Sequence, residues 1–337
     1  MSKTLITGAT GFIGSAVVRE LLDAGHEVRA LIRKTSDTRN IDGLDLERVY
    51  GDIRDEESVQ AALKGCDTLF HTAALYTTWL PESKTIYEIN VEGTKNVLRA
   101  ALEAGVEKVV YTSTAGVIGK NADGSLPNEE TPFNLWDVSG HYIRSKYMAE
   151  QEALRICREE GLPAVIVNPT LPIGPRDVRP TPNGQMILDF LSRRLPGYVE
   201  GGFNLVAVED VAKGHLLAAE RGRIGERYIL GYRNMTLKEM FELLEKLTGI
   251  PAPRLRLPYS LTLAGAYTLE GIARLTGKPP LINVDSIRTS HLTLHYDCSK
   301  AVRELGMPQT SVEEAIRRAV EWFRKNGYVK KEADERR

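Results

Sequence analysis

The sequence predicts an α/β protein, a doubly wound parallel sheet with a smaller, mostly helical C-terminal lobe. Three observations carry that expectation. Short apolar runs alternate with amphipathic stretches of roughly ten to twenty residues through the first half of the chain, the rhythm of βαβ units rather than of hairpins. A glycine-rich turn falls directly between the first strand and the first helix, at residues 8–14. After residue 170 the regularity loosens, and Pro172, Pro175, Pro180 and Pro182 cluster as they do where a chain crosses between layers.

Taken in order, strands are expected at residues 4–7, 27–32, 47–50, 68–71, 106–112 and 164–167, with helices at 12–24, 84–104 and 141–159 between them. The right-handedness of such crossovers puts helices on both faces and ligands at the carboxyl edge of the strands. Downstream, helical patterns run over 186–194, 208–221, 237–248, 261–275 and 311–325, and 228–230 reads as a return to the sheet. The sheet domain is therefore expected over 1–170, with 204–232 returning to it. A second lobe takes 171–203 and 233–330, and 331–337 is a frayed charged tail.

Composition removes several classes of function. The 337 residues are 42% apolar and 26% charged, and 44 Lys and Arg nearly cancel 45 Asp and Glu. No overall field favours nucleic acid or an anionic membrane. Three cysteines without CxxC spacing argue against a disulfide framework and for a reducing cytoplasm. The start MSKTLITGATGF lacks the pattern of a signal peptide, and no run of eighteen apolar residues is present to span a membrane. No metal site is expected: His291 and His295 stand four apart, but HLTLHY alternates like a strand rather than presenting a helical pair.

The glycine turn reads TGATGFIG, so Gly8, Thr10, Gly11, Phe12, Ile13 and Gly14 join the first strand to the first helix. Glycines here permit a tight turn and close backbone approach to a pyrophosphate, and the helix N-terminus offers N–H donors and a positive dipole end. The spacing is G-x-x-G-x-x-G; the alternative is an ordinary glycine-rich turn. At the end of the second strand, where an NAD site carries Asp or Glu for the ribose 2′-OH, the chain has Arg33 and Lys34. A guanidinium suits a 2′-phosphate, so NADP(H) is preferred, with NAD(H) the alternative cofactor. Asp52 and Ile53, after the third strand, fall near the adenine; Asp52 equally suits capping the helix that begins near Glu56.

Tyr142 and Lys146 stand four apart in HYIRSKYMAE, on one face of a helix. A free phenol titrates near 10, and a nearby ammonium favours the phenolate. Such a pair is common on helices, and its position downstream of a glycine loop is what singles it out. The fifth strand ends in Thr112, Ser113 and Thr114, hydroxyls that can meet a substrate oxygen or simply populate a strand-end turn.

With TGATGFIG, GDIRDEES, HTAA, NVEGTKNVLRAA, YTSTAGV, YIRSKYMAE, VNPTLPIGPR and AVEDVAKGHL in this order, the chain resembles the extended short-chain dehydrogenases/reductases of the NAD-dependent epimerase/dehydratase group, over residues 1 to about 232. Within that group it is most similar to dihydroflavonol-reductase-like proteins and to the hopanoid-associated sugar epimerases. The resemblance implies a Rossmann fold with Tyr142 as general acid/base and Lys146 holding the nicotinamide ribose while lowering the tyrosine pKa. Thr114 occupies the position of the group's catalytic serine, with Ser113 the alternative donor. His71, Thr72, Ala73 and Ala74 would line the cofactor, Asn90 would support the site, and Asn168 and Pro169 would border the nicotinamide. Arg33 matches the arginine of NADP-using reductases. A homodimer through helices 84–104 and 141–159 is implied as well.

Substrate contacts are expected from 75–79, Trp136, 171–176 and 198–204, with Tyr76, Trp79, Asn168 and Arg176 as the candidate residues. That aromatic and aliphatic set suits a moderately apolar carbonyl compound. Arg176 either meets a diphosphate or pairs with Asp177 or Glu209. The function expected is NADP(H)-dependent reduction of a ketone or aldehyde. The alternative is a nucleotide-sugar epimerase or dehydratase that retains its cofactor. A catalytically silent nucleotide sensor or scaffold is a third class, disfavoured by the intact Tyr142 and Lys146.

Overall fold

The protein is described by a computed structural model, which covers residues 3–77, 82–276, 280 and 283–329. Trp79 and the charged tail fall outside the described residues. The first half runs β1 (Lys3–Thr7), α1 (Phe12–Asp23), β2 (Glu27–Ile32), β3 (Glu47–Tyr50), α2 (Glu56–Leu63) and β4 (Thr68–His71). It continues through α3 (Lys84–Tyr87), a π turn (Glu88–Glu92), α4 (Gly93–Glu103), β5 (Lys108–Thr112), α5 (His141–Glu160) and β6 (Ala164–Pro169). Then come β7 (Leu171–Ile173), α6 (Pro182–Leu191), β8 (Gly202–Ala207), α7 (Val208–Arg221) and β9 (Arg227–Leu230).

Seven strands form one sheet in the order β3-β2-β1-β4-β5-β6-β9, every neighbouring pair parallel. A parallel strand buried on both faces must be apolar on both, and these are. Leu5, Leu69, Val109 and Tyr111 pack with Val59, Val97, Ala149 and Ile156 of α2, α4 and α5. Their strand neighbours Ile6, Phe70 and Val110 pack with Val17, Leu21 and Val211 of α1 and α7. The pleat thus assigns alternate residues to opposite helical layers. Strand order reverses between β1 and β4, which opens a crevice at their carboxyl ends.

The remainder comprises β10 (Arg233–Thr236), α8 (Leu237–Thr248), α9 (Tyr259–Thr276), α10 (Val284–Ser290), β11 (Thr293–Leu294) and α11 (Val312–Lys325). It is helical, but it also holds a second sheet that the sequence pattern does not announce. There β8 pairs antiparallel with β10 and parallel with both β7 and β11. Phe190, Phe241, Met240 and Phe323 of α6, α8 and α11 bury its outer face. Strands of two and three residues are too short for alternation to register. Residues 202–204, expected to line a pocket, lie inside β8, with Asn204 fully buried and bonded to Thr170 and Asn234.

Two further expectations change. The helix expected over 84–104 is broken by the π turn, an insertion typical of functional positions. The residue before α2 is Asp55, so Asp52 is not its cap. Asp52 binds Arg54 instead, through the backbone N–H at 3.0 Å and the guanidinium at 2.8 Å.

α8 begins with a reciprocal cap. Thr236 Oγ1 accepts from the Glu239 N–H, and the Glu239 carboxylate accepts from the Thr236 N–H at 2.6 Å. Thr236→Ala should cost about 1 kcal/mol, a fall in Tm of roughly 2 °C. Calorimetry checks it, and dinucleotide titration should show no change, because this cap lies in the second sheet's layer.

Candidate active site

The turn after β1 is built by what its residues lack. Gly8 has φ +75°, and a Cβ there would stand 2.6 Å from the Ala73 nitrogen and 2.7 Å from Thr72 Oγ1. A Cβ on Gly14 would meet the Gly8 carbonyl at 2.2 Å. Glycine at both places lets α1 settle onto the ends of β1 and β4. The Gly11 N–H closes the turn onto Gly8 O at 3.0 Å. Gly11 is also the N-cap of α1, and no side chain caps that helix. Its first N–H groups therefore face the crevice as an anion site. Thr10 is half-buried and its carbonyl is held by Asn40 at 3.2 Å, while Phe12 and Ile13 start the helix half-buried.

Around this turn the crevice is lined from four strand ends. Arg33 and Lys34 follow β2 with exposed side chains. The Arg33 charge reaches Asp52, whose carboxyl is held below its usual range first by its hydrogen bond to Arg54. Ile53 is buried against Gly93. After β4, Thr72 donates to Thr7 O at 2.7 Å, Ala73 is half-buried and Ala74 exposed. Asn90, in the π turn, is buried and committed: it accepts from Leu75 N–H at 2.7 Å and donates to Ser145 Oγ at 2.9 Å. It ties the loop after β4 to α5 and does not present its amide to the crevice.

α5 starts at His141, so Tyr142 lies in its first turn and Lys146 one turn further, next to the end of β5. The Lys146 ammonium is 1% exposed and donates to Tyr111 Oη at 3.0 Å and to the Thr112 carbonyl at 2.7 Å. It also sits 4.6 Å from the Tyr111 ring centre. Burial pulls its pKa down to about 7, opposed by the charge of Glu150. Tyr142 packs against Tyr76 with ring centres 4.6 Å apart and the planes tilted by 46°. Burial drives its phenol above the ordinary value and the Tyr76 neighbour adds to the rise. That departs from one expectation: as folded, Lys146 is bonded to Tyr111 and the Thr112 carbonyl, and the Tyr142 phenol is raised by burial and by Tyr76.

The two strand-end hydroxyls differ. Thr114 is half-buried and its Oγ1 accepts from Gly116 N–H at 3.2 Å, which leaves its own hydrogen to donate. Ser113 is buried, and its Oγ has no partner among the described residues. Thr112 belongs to the opposite face, bonded to His215 at 2.9 Å. Pro169 ends β6, buried. Asn168, expected at the substrate, is wholly buried instead, donating to Thr114 O and to Glu150. Trp136 packs against Phe133 of the loop before α5 and against Tyr147 of α5, five residues beyond Tyr142, rather than against Tyr142. Arg176 is exposed at φ +72° and pairs with neither suggested acid. Asp177 binds Thr181, and Glu209 faces Arg318.

Sequence reasoning passed over Tyr111, Glu150 and the Tyr76 contact. Glu150 had a signal, since it stands four residues beyond Lys146 and shares its helical face. Tyr111 had one in the strand period, which places it on the α5 side.

Residues 4–231 match the NAD dependent epimerase/dehydratase family. The chain belongs to that family. It is 44% identical, across 96% of its length and 95% of the relative's, to the putative dihydroflavonol 4-reductase of Synechocystis sp.. The solved structure of gox2253 superposes with a TM-score of 0.87 at 46% identity, covering 98% of this chain and all of that one. DesIV, the dTDP-glucose 4,6-dehydratase of Streptomyces venezuelae solved with NAD and TYD bound, gives 0.77 at 26% identity, covering 98% and 99%. Family membership makes this chain an enzyme, an NAD(P)-dependent reductase or epimerase. Among the described residues no helix is long and apolar enough to cross a membrane.

One member of this family site reports its environment directly. His71 is buried between Thr7 at 2.7 Å and Thr94 at 3.0 Å, and burial with the Lys146 charge pushes its pKa down to about 3. An unfolded imidazole titrates near 6.5. Between those values the unfolded chain binds a proton that the folded one refuses, so stability is full above about pH 6.5 and falls as pH drops. The contribution reaches about 1.4 kcal/mol per pH unit. His215, held near 4 by burial, acts with the same sign, and Asp177, raised to about 6 by burial, acts against both. Urea unfolding at pH 7 and pH 5 should show His71→Asn losing its share of that slope; an unaltered slope would refute the assignment.

Proposed function

We propose that this enzyme reduces a ketone or aldehyde with NADP(H). The observation that carries the choice is the exposed Arg33 and Lys34 at the end of β2, beside a carboxylate, Asp52, already taken by Arg54. A free guanidinium there suits a 2′-phosphate, and a phosphorylated dinucleotide suits a reductant exchanged at every turnover.

The crevice fits such a group on its own geometry: glycines where a Cβ would fill the cradle, and an uncapped helix N-terminus. Gly8, Thr10, Gly11, Phe12, Ile13 and Gly14 would take the diphosphate, with Asp52 and Ile53 at the adenine. Thr72, Ala73, Ala74 and Pro169 would border the nicotinamide side, and Lys146 its ribose, with Asn90 holding the wall. When bound, the dinucleotide supplies or accepts the hydride.

Everything else falls to the chain. Tyr142 keeps its proton because burial raises its pKa, so it enters as a general acid toward a carbonyl oxygen, the direction a reductase needs. Thr114 and Ser113 supply a second hydroxyl to the same oxygen. Tyr76, tilted against Tyr142, covers one side of its ring. A second reading, epimerase or dehydratase of a nucleotide sugar, draws on Arg176. Its exposed guanidinium makes no ion pair among the described residues and would suit a substrate diphosphate.

Two measurements separate the readings. Mass spectrometry of nucleotide released on denaturing fresh protein should find little; near-stoichiometric retained dinucleotide would favour the epimerase. Arg33→Ala should weaken NADPH binding about tenfold or more while sparing NADH, and equal loss for both would remove the basis for NADP. Tyr142→Phe should cut turnover roughly 10²–10⁴-fold with cofactor affinity kept. Unchanged turnover would overturn both enzymatic readings. Thr114→Val and Ser113→Ala, assayed beside it, show which hydroxyl serves.

A further inference from the structure

Glu150 is 0% exposed, one helical turn beyond Lys146 on α5. Its Oε2 accepts from Asn168 Nδ2 at 2.7 Å, and the second hydrogen of that amide goes to the Thr114 carbonyl at 3.1 Å. Two acceptors on one nitrogen fix which way the amide points. The other carboxylate oxygen receives Arg227 Nη1 at 3.1 Å, and Arg227 Nη2 continues to the carbonyl of Glu129. A chain from Arg227 of β9 through Glu150 of α5 and Asn168 of β6 therefore ends at the backbone of Thr114, just past β5 and beside Ser113.

Charge gives the arrangement a second role. Lys146 is faced by Tyr111 and the Thr112 carbonyl from β5, by His71 from β4, and by Glu150 on its own helix, with Tyr142 one turn before it. Burial holds His71 neutral and raises both tyrosines. Glu150 is the anion among them. Glu150 itself is faced by Asn168, Arg227, Tyr111 and Lys146. One carboxylate thus answers two cations, the buried Lys146 and the half-buried Arg227. As a stabilising device alone this is poor design, since a buried ion pair is often matched or bettered by apolar residues of the same volume.

We propose that Glu150 is a positioning residue for the reaction, fixing the Ser113 and Thr114 end of β5 through Asn168 and holding Lys146 in its ammonium state. The inference rests on the functional reading of Lys146 and Thr114 given above. It deepens that reading by naming what keeps the pair in working order.

The test uses the full chain labelled with ¹³Cε lysine, with the Lys146 resonance identified by its loss in Lys146→Arg. In Glu150→Gln, which preserves shape, the Lys146 titration midpoint should fall by about one pH unit or more, a tenfold loss of proton affinity. Fluorescence titration with NADPH should show the alkaline limb of binding moving down in step. Glu150→Gln leaves Arg227 unpaired, so Glu150→Gln/Arg227→Met provides a variant that removes both charges, with a smaller fall expected because losing the Arg227 cation offsets part of the change. A midpoint unmoved in both variants overturns the proposal, as does a moved midpoint with an unmoved binding limb. If the midpoint falls but the wild type binds neither NADPH nor NADH, the dinucleotide reading fails and the charge pairing of Glu150 with Lys146 stands.

Discussion

The site depends on a contact between backbones. At the reversal of strand order, the turn after β1 and the loop after β4 approach so closely that a methyl group on Gly8 or Gly14 would overlap Ala73, Thr72 or the Gly8 carbonyl. Because side chains are missing there, α1 can point its uncapped N-terminus across the carboxyl edge of the sheet. That one approach sets the distance between β1 and the elements carrying everything else: Thr72 and His71 on β4, Ser113 and Thr114 after β5, and Tyr142 and Lys146 on α5. A sheet with its order unbroken at this point would offer no crevice.

The electrostatics follow from the same packing. Lys146 lies under α5 in a layer made of Tyr111, His71 and the Thr112 carbonyl. Removing an ammonium from water is costly unless it is hydrogen-bonded and opposed by charge. The carbonyl and phenol take two of its three protons, and Glu150 opposes its charge. The π turn at Glu88–Glu92 belongs to this arrangement too, because the extra residue turns Asn90 inward, where it locks Leu75 to Ser145 beside Lys146. The second sheet completes the carboxyl side, carrying the chain through Arg176 and back to β9, from which Arg227 reaches Glu150.

Much of the parallel sheet was legible in the sequence, since its strands are short, apolar and separated by helices of the right length. β2, β3 and β4 lie at their expected bounds, and the glycine turn stands where its spacing places it. What was hidden has a physical reason in each case. β7 and β11 are stabilised by pairing with β8 and have too few residues for a period of two. The π turn depends on Asn90 finding partners distant in sequence. Asp52 reads as a cap until Arg54, two residues on, claims it. Asn168 reads as a substrate contact because it ends a strand at the right edge, and only the fold shows Glu150 beneath it. Local patterns announce elements, whereas long-range hydrogen bonds decide what a polar side chain does.

The two central titrating groups are moved by one cause in opposite directions. Burial favours whichever form is uncharged, which raises Tyr142 and lowers Lys146. The tyrosine has Tyr76 and Tyr111 as neighbours, so among the described residues nothing counters the rise and the phenol holds its proton. The lysine has Glu150, and so comes to rest near neutrality rather than far below it. The site is therefore arranged with a firmly protonated acid next to a cation that is easily discharged. A single carboxylate on the lysine's side of the helix tempers the shift of the lysine and leaves that of the tyrosine whole.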